Sequence, residues 1–268
     1  MKLNQDRNFD DLSARFERNL YGGPKGRLRL ELVKKALAED CAAIRSGRSL
    51  RVLDVGCGLG QVSQWLAELG HEIIAADISS VIIARAEERI AQENKQALTR
   101  IQFIRSPLQE LKSQVSGSFD LVVFHAVLEW MGEPELALLN IKDWLNPEGE
   151  LSLMFYNRNS LLFKNLLRGD FRRIDEENFS GDGGGLTPST ALDINIVEQW
   201  VKANGFECVK KRGIRSFSDY MPQALDRRKP PTATEQEILR MEWKFSDISP
   251  FRELARYQLW HCARTTNS

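Results

Sequence analysis

The chain has 268 residues, which suits one large domain, or one domain carrying insertions. Apolar residues make up 42% and charged residues 28%, enough for a packed core and unlike a disordered chain. Lys plus Arg and Asp plus Glu number 37 each, so the zero net charge excludes a strongly basic, histone-like nucleic-acid binder but leaves room for a local basic patch. The four cysteines, Cys41, Cys57, Cys208 and Cys262, are far apart and lack zinc-site spacing, which suits a reducing cytosol. The charged start MKLNQDRNFDDLSARF has no apolar core of a secretory signal, and no run approaches the ~18 apolar residues of a membrane span. The expectation is a cytoplasmic α/β enzyme.

Residues 9–46 read as a helical cap, with Phe9, Leu12, Phe16 and Leu20 at helical spacing, a Gly-Gly-Pro break at 22–24, and then Leu28, Leu32, Val33 and Leu37. LRVLDVG (50–56) is a short apolar run ending in Gly, which predicts a buried strand. A helix at about 61–69 follows, then strand 71–77, helix 80–93, strand 101–106, strand 119–125, helix 134–145 and strand 150–156. This alternation predicts a Rossmann-like, doubly wound, mostly parallel sheet of seven strands. The pattern breaks after Tyr156. Residues 158–190 and 214–250 read as insertions near the active site, the first with a loose SGDGGG stretch at 180–185. Helix 194–204 and strand 206–213 resume the fold; a charged helix near 234–244 and a strand at 254–264 end it. The whole is expected to be a single domain, 1–268.

Asp54-Val-Gly56-Cys57-Gly58-Leu-Gly60 lies between the first strand and its helix. Alternate glycines let the backbone turn tightly and approach a ligand with no Cβ in the way, ahead of a helix N-terminus with its positive dipole end. A dinucleotide loop, G-x-G-x-x-G, would need Gly at 61, where Gln stands. The G-x-G-x-G spacing after an acidic residue is instead that of S-adenosylmethionine methyltransferases, whose cofactor has no pyrophosphate to cradle. Asp54 is expected to anchor the loop or the cofactor's ammonium group.

Asp77 ends the second strand 23 residues after Asp54. It is placed to accept from ribose hydroxyls, or to cap the next helix. Ser106-Pro107-Leu108 follows the third strand where adenine would lie, with no Asp for the adenine amino group, so recognition there is expected through the backbone. His125 ends the fourth strand, at the carboxyl edge where such sheets bind ligands.

There is no Asn/Asp-Pro-Pro-aromatic motif for base amino groups, no Pro-Cys nucleophile, and no evident carboxylate cluster for Mg²⁺, so no metal is expected. Cys57 reads as a small space-filler. QDRNFDDLSARFERNLYG (5–22), KGRLR (25–29), FHAVLEW (124–130), LSLMFYN (151–157) and GIRSFSDY (213–220) together resemble the bacterial tRNA 5-carboxymethoxyuridine methyltransferases along nearly the whole chain. The resemblance implies methylation of the carboxylate of 5-carboxymethoxyuridine at wobble position 34, to the methyl ester, in a tRNA anticodon stem-loop. It also implies cofactor contacts from Arg29, Gly56, Cys57, Gly58, Asp77, Pro107, Leu108 and His125. The family has Gly where Cys57 stands, so that contact is through the backbone, and it carries a lysine-rich segment where this chain has SGDGGG.

A carboxylate of pKa ~4 is ionised at neutral pH, so no general base is required. The site needs alignment of the reactants and a clamp for the carboxylate. The clamp candidates are Arg215, Tyr156, Asn157 and Tyr220, with Arg favoured for its two-point fork. Phosphate contacts are expected from the window 202–229, which carries a net +5, and from Lys164, Arg168, Arg172 and Arg173. Phe155, Tyr156, Phe171 and Phe217 are candidates for base stacking. Two other readings stay open: a methyltransferase of a small molecule such as a quinone precursor or organic acid, and a cofactor-binding subunit without transfer activity. Nothing in the sequence points to an obligate protein partner.

Overall fold

β1 (Arg51–Val55) is buried at every position after Arg51 because both of its faces are covered. It pairs in parallel with β2 (Glu72–Asp77) and β4 (Phe119–His125), placing Leu53 beside Ile74 and Val122. β3 (Ile101–Arg105) extends the sheet beyond β2, and β5 (Leu145–Tyr156) extends it beyond β4, again in parallel. β7 (Tyr257–Arg264) inserts antiparallel between β5 and β6 (Phe206–Ile214), giving the order β3-β2-β1-β4-β5-β7-β6. This is the mostly parallel seven-stranded sheet expected from the sequence. The structure, a computed structural model, describes residues 6–8, 10, 23–177, 188, 191–222, 230 and 232–265.

Among the described residues, seven longer helices flank the sheet: α1 (Pro24–Asp40), α2 (Gln61–Glu68), α3 (Ser80–Glu93), α4 (Pro134–Trp144), α5 (Arg158–Arg168), α6 (Ile194–Ala203) and α7 (Glu235–Phe245). Alternate strand residues feed opposite layers. Leu53, Val55, Phe124 and Leu153 pack with Leu138, Ile141 and Trp144 of α4 and Val197 and Val201 of α6. Val52, Val123 and Met154 pack with Leu32, Val33 and Leu37 of α1 and Leu66 of α2. Each such side chain fully buried contributes about 1.5–3 kcal/mol. None of the described helices is long and apolar enough to cross a membrane.

The segment expected to be an irregular insertion from 158 begins as an ordered helix. The Asn157 side chain accepts from the Asn159 N–H at 3.0 Å and caps α5, Leu161 is buried, and Gly169 at φ 72 ends the helix. A capping box between Thr234 and Glu237 starts α7. The last strand begins at Tyr257 rather than 254 because Phe251–Leu254 forms a helical turn. The glycine stretch 180–185 lies outside the described residues, as does the helical cap over 9–22 apart from Asp10.

Candidate active site

The sheet order reverses between β1 and β4, and the cleft opens at their carboxyl ends. It encloses about 990 Å³ of empty space, part of it open to solvent. Arg29, Gly56, Gly58, Asp77, Pro107, Leu108 and His125 all line it, and Cys57 lines an adjoining recess together with Arg29, Gly56 and His125. Side chains separated by almost a hundred positions thus converge as the sequence reading expects.

The glycine loop is held from within. The N–H groups of Gly56 and Cys57 both donate to the Ala76 carbonyl, at 2.7 and 3.0 Å, and the Gly58 N–H donates to Asp77 Oδ2 at 3.0 Å. With three of its donors engaged, the loop is a close-approach surface rather than a phosphate cradle. Gly56, Gly58 and Gly60 all have positive φ. Asp54 anchors the turn: Ser63 Oγ donates to its Oδ2 at 2.5 Å, and burial pushes its pKa up to about 7.

Asp77 takes a second backbone donor, the Ser79 N–H at 2.9 Å, on its other oxygen. The N-cap of α3 is Ser79, whose hydroxyl accepts from Ile82 N–H, so Asp77 is not the capping residue. Each Asp77 oxygen keeps lone-pair capacity, and the residue lines the cleft. Burial raises its pKa above the ordinary value, opposed by the backbone N–H groups of Ser79, Gly58 and Ile78.

His125 Nε2 lies 2.8 Å from Ser152 Oγ, while its buried Nδ1 has no partner among the described residues. Burial first, then His261 and Arg29, lowers its pKa to about 3, so the imidazole is neutral and offers one unused polar atom at the cleft. Glu129 is missing from the candidates named above, although it stands in FHAVLEW. It is 1% exposed at the cleft wall, and burial raises its pKa to about 7 against the pull of Arg29. A glutamate within an apolar run was the available signal. At the N-terminus, Asp6 Oδ1 accepts from Gly132 N–H at 3.0 Å and Arg7 N–H donates to the Trp130 carbonyl at 3.0 Å, so both residues lie against the cleft.

The clamp candidates separate. Tyr156 lines the cleft, and its buried hydroxyl has no partner among the described residues. Asn157 is corrected: it is 0% exposed and donates to the carbonyls of Glu253 and Ala255, both at 2.8 Å, while its oxygen caps α5, so nothing is left for a substrate. Tyr220 is corrected likewise, because its hydroxyl donates to the Leu254 carbonyl at 2.5 Å. Arg215 is buried, 8% exposed, and donates a hydrogen bond to Asp219.

The basic window is largely neutralised by acids from elsewhere in the chain. Lys202 and Lys211 pair with Glu198 at 3.0 and 2.8 Å, Lys210 pairs with Asp247 at 2.9 Å, and Arg212 forks onto Asp40. Arg227, Arg228 and Lys229 lie outside the described residues. In the second cluster, Arg172 pairs with Glu176 at 2.7 Å. Among the aromatic candidates, Phe155 is a core residue packed edge-on to Trp260, whereas Phe171 is 60% exposed.

A family model described as "Methyltransferase domain" matches residues 53–151. The tRNA 5-carboxymethoxyuridine methyltransferases of Escherichia coli strains K12 and O157:H7 are each 36% identical to this chain over 253 residues, covering 94% of it and 94% of their own length. The chain belongs to the tRNA 5-carboxymethoxyuridine methyltransferase family. A ubiquinone biosynthesis O-methyltransferase of Xanthomonas axonopodis pv. citri is 32% identical, but over 113 residues, 42% of the chain and 46% of the relative. Among solved structures, the magnesium protoporphyrin IX methyltransferase of Synechocystis PCC 6803 with bound SAH superposes with a TM-score of 0.62 at 18% identity, covering 96% of both chains. That likeness speaks to the fold: this carboxymethoxyuridine-family chain has the class I methyltransferase sheet.

Proposed function

We propose that the chain transfers a methyl group from S-adenosylmethionine to the carboxylate of 5-carboxymethoxyuridine at the tRNA wobble position, giving the methyl ester. The observation that carries this reading is the similarity to the carboxymethoxyuridine enzymes over 94% of both chains, against 42% of this chain for the ubiquinone biosynthesis O-methyltransferase. The cleft fits the cofactor. The Asp77 carboxylate would accept from the ribose diol, the unadorned backbone at Gly56 and Gly58 would allow close approach, and the unused His125 Nδ1 would supply a polar contact. Pro107 and Leu108 would lie beside the adenine, and Arg29 would serve the amino-acid end.

S-adenosylmethionine, when bound, supplies an electrophilic methyl group on a sulfonium. The chain's own work is positioning and exclusion of water. Leu108, Val127, Trp130 and Met131 give the cleft apolar walls. Tyr156 lines the same cleft, with a buried hydroxyl that no described residue engages. No side chain has to remove a proton, because the acceptor is already anionic at neutral pH. Chemistry of this kind needs neither a general base nor an added divalent ion. A tRNA substrate supports a cytoplasmic location.

Salt dependence separates this reading from a small-molecule one. Binding of a tRNA anticodon stem-loop should weaken steeply with salt, with a log–log slope of about −0.7 per single-stranded phosphate contact. Filter binding between low and physiological salt measures it. A flat salt response together with transfer to a free organic acid would favour the small-molecule reading.

A further inference from the structure

Asp219 is 2% exposed and ringed by cations. Arg215 donates a hydrogen bond to its Oδ1, Lys25 Nζ stands 3.0 Å from the same oxygen, and Arg256 Nε stands 3.7 Å from Oδ2. Burial alone would raise the Asp219 pKa, but Arg215, Arg256 and Lys25 hold it well below the usual carboxylate range. A fourth cation, Lys164 on α5, makes no ion pair among the described residues; burial, then repulsion from Arg256 and Arg168, lowers its pKa to about 8. One carboxylate among four cations leaves an excess of positive charge, carried on two largely buried arginines, on the partly buried Lys164 and on Lys25, which is half exposed. Such an excess is costly unless an anion joins it.

Part of the donor capacity of this corner is unspent. Nε of both Arg215 and Arg256 is buried without a hydrogen-bond partner, and the Arg256 guanidinium makes no hydrogen bond among the described residues. A purely structural buried arginine uses its donors up. The backbone is also held out of its ordinary range. Arg215 has φ 64, in the left-handed region, and its carbonyl accepts from the Arg256 N–H at 3.0 Å, which ties the two arginines together. The corner adjoins the cofactor cleft through Tyr156. Arg256 lies 4.8 Å from the centroid of the Tyr156 ring, and Tyr156 lines the cleft with its hydroxyl unpartnered.

We propose that this corner is the receptor for the carboxylate of the substrate's 5-carboxymethoxy group, with Arg256 making the principal ionic contact, Tyr156 Oη donating to one oxygen, and Asp219 positioning the guanidinium. The inference rests on the carboxylate-methylation reading above. It also carries a consequence for turnover. Methylation turns the anion into a neutral ester, so the ionic contact exists for substrate and vanishes for product. The corner therefore favours release of the finished tRNA.

The test is equilibrium binding of the full chain to three anticodon stem-loops, identical except for nucleoside 34: the carboxymethoxy form, its methyl ester, and 5-methoxyuridine. The wild-type chain should prefer the carboxymethoxy RNA by about 10- to 100-fold, the range of charge-assisted hydrogen bonds. Arg256→Gln should reduce that preference to within about 3-fold, leaving affinity for the methoxy RNA unchanged, and Arg256→Lys should restore part of it. Tyr156→Phe removes only an unpartnered hydroxyl, so it should melt like wild type and still lose several-fold of the preference. If Arg256→Gln does not fold, an unaltered preference in Tyr156→Phe overturns the assignment. So does an Arg256→Gln chain that keeps the full preference, or one that weakens on all three RNAs alike, the mark of a backbone-phosphate contact. Methyl transfer by the wild-type chain, measured alongside, separates the two failures. Transfer without any effect of these variants sinks this corner alone, whereas neither preference nor transfer sinks the wider reading as well.

Discussion

Asp77→Ala should weaken binding of S-adenosylmethionine by about 3–6 kcal/mol, because each of two hydrogen bonds to a charged acceptor contributes about 1.5–3 kcal/mol. The side chain does two jobs at once. The residue lines the cleft, and its oxygens also receive the N–H groups of Gly58 and Ser79, so the substitution frees the glycine loop as well as the ribose. Asp77→Asn, which retains one acceptor oxygen, should fall between the two. Titration calorimetry decides it: wild-type affinity in Asp77→Ala would remove this residue from the cofactor site.

Gly56→Ala should destabilise the fold and empty the cleft. Gly56 has φ 71, where a non-glycine residue costs about 1–2 kcal/mol. An added Cβ would also stand 2.3 Å from Val127 Cγ2, and overpacking of that kind costs about 1–3 kcal/mol more. Gly60→Ala is the natural comparison. It shares the backbone strain, at φ 70, but its Cβ would meet the Ile90 side-chain end at 3.2 Å, which can shift. Urea unfolding of both variants should therefore show the larger loss at position 56. Equal losses would mean that the Val127 contact yields freely and that strain alone is being measured.

The cofactor half of the site was legible because it is built from local signals. A buried strand, a glycine turn and a helix lie within one short stretch from 51 to 68, and the acids and histidine that serve it sit at strand ends, where parallel sheets present their ligands. The substrate half was not legible in the same way. Arg215 stood out for its position after β6, but its partner Asp219 and the decisive Arg256 come together only through tertiary pairing of the β6 and β7 ends. Asn157 and Tyr220 were attractive as polar groups near the cleft, yet both are used up by backbone partners that no local pattern reveals. The basic window misled for a related reason. Charge summed along the sequence ignores acids contributed by α1, α6 and the segment after α7: Asp40, Glu198 and Asp247. The helix at Arg158–Arg168 was hidden by the switch from strand to helical periodicity directly after Tyr156, with Asn157 as cap.

The most direct test of the function is mass spectrometry of nucleosides from tRNA incubated with the purified chain and S-adenosylmethionine. The tRNA should carry 5-carboxymethoxyuridine at the wobble position, with the same tRNA carrying 5-methoxyuridine as control. The expected result is loss of the 5-carboxymethoxyuridine signal and appearance of its methyl ester, which mild alkali should return to the acid, with no change in the control. Methylation of any other nucleoside, or an unchanged 5-carboxymethoxyuridine with fully active cofactor binding, would contradict carboxylate methylation as the activity of this chain.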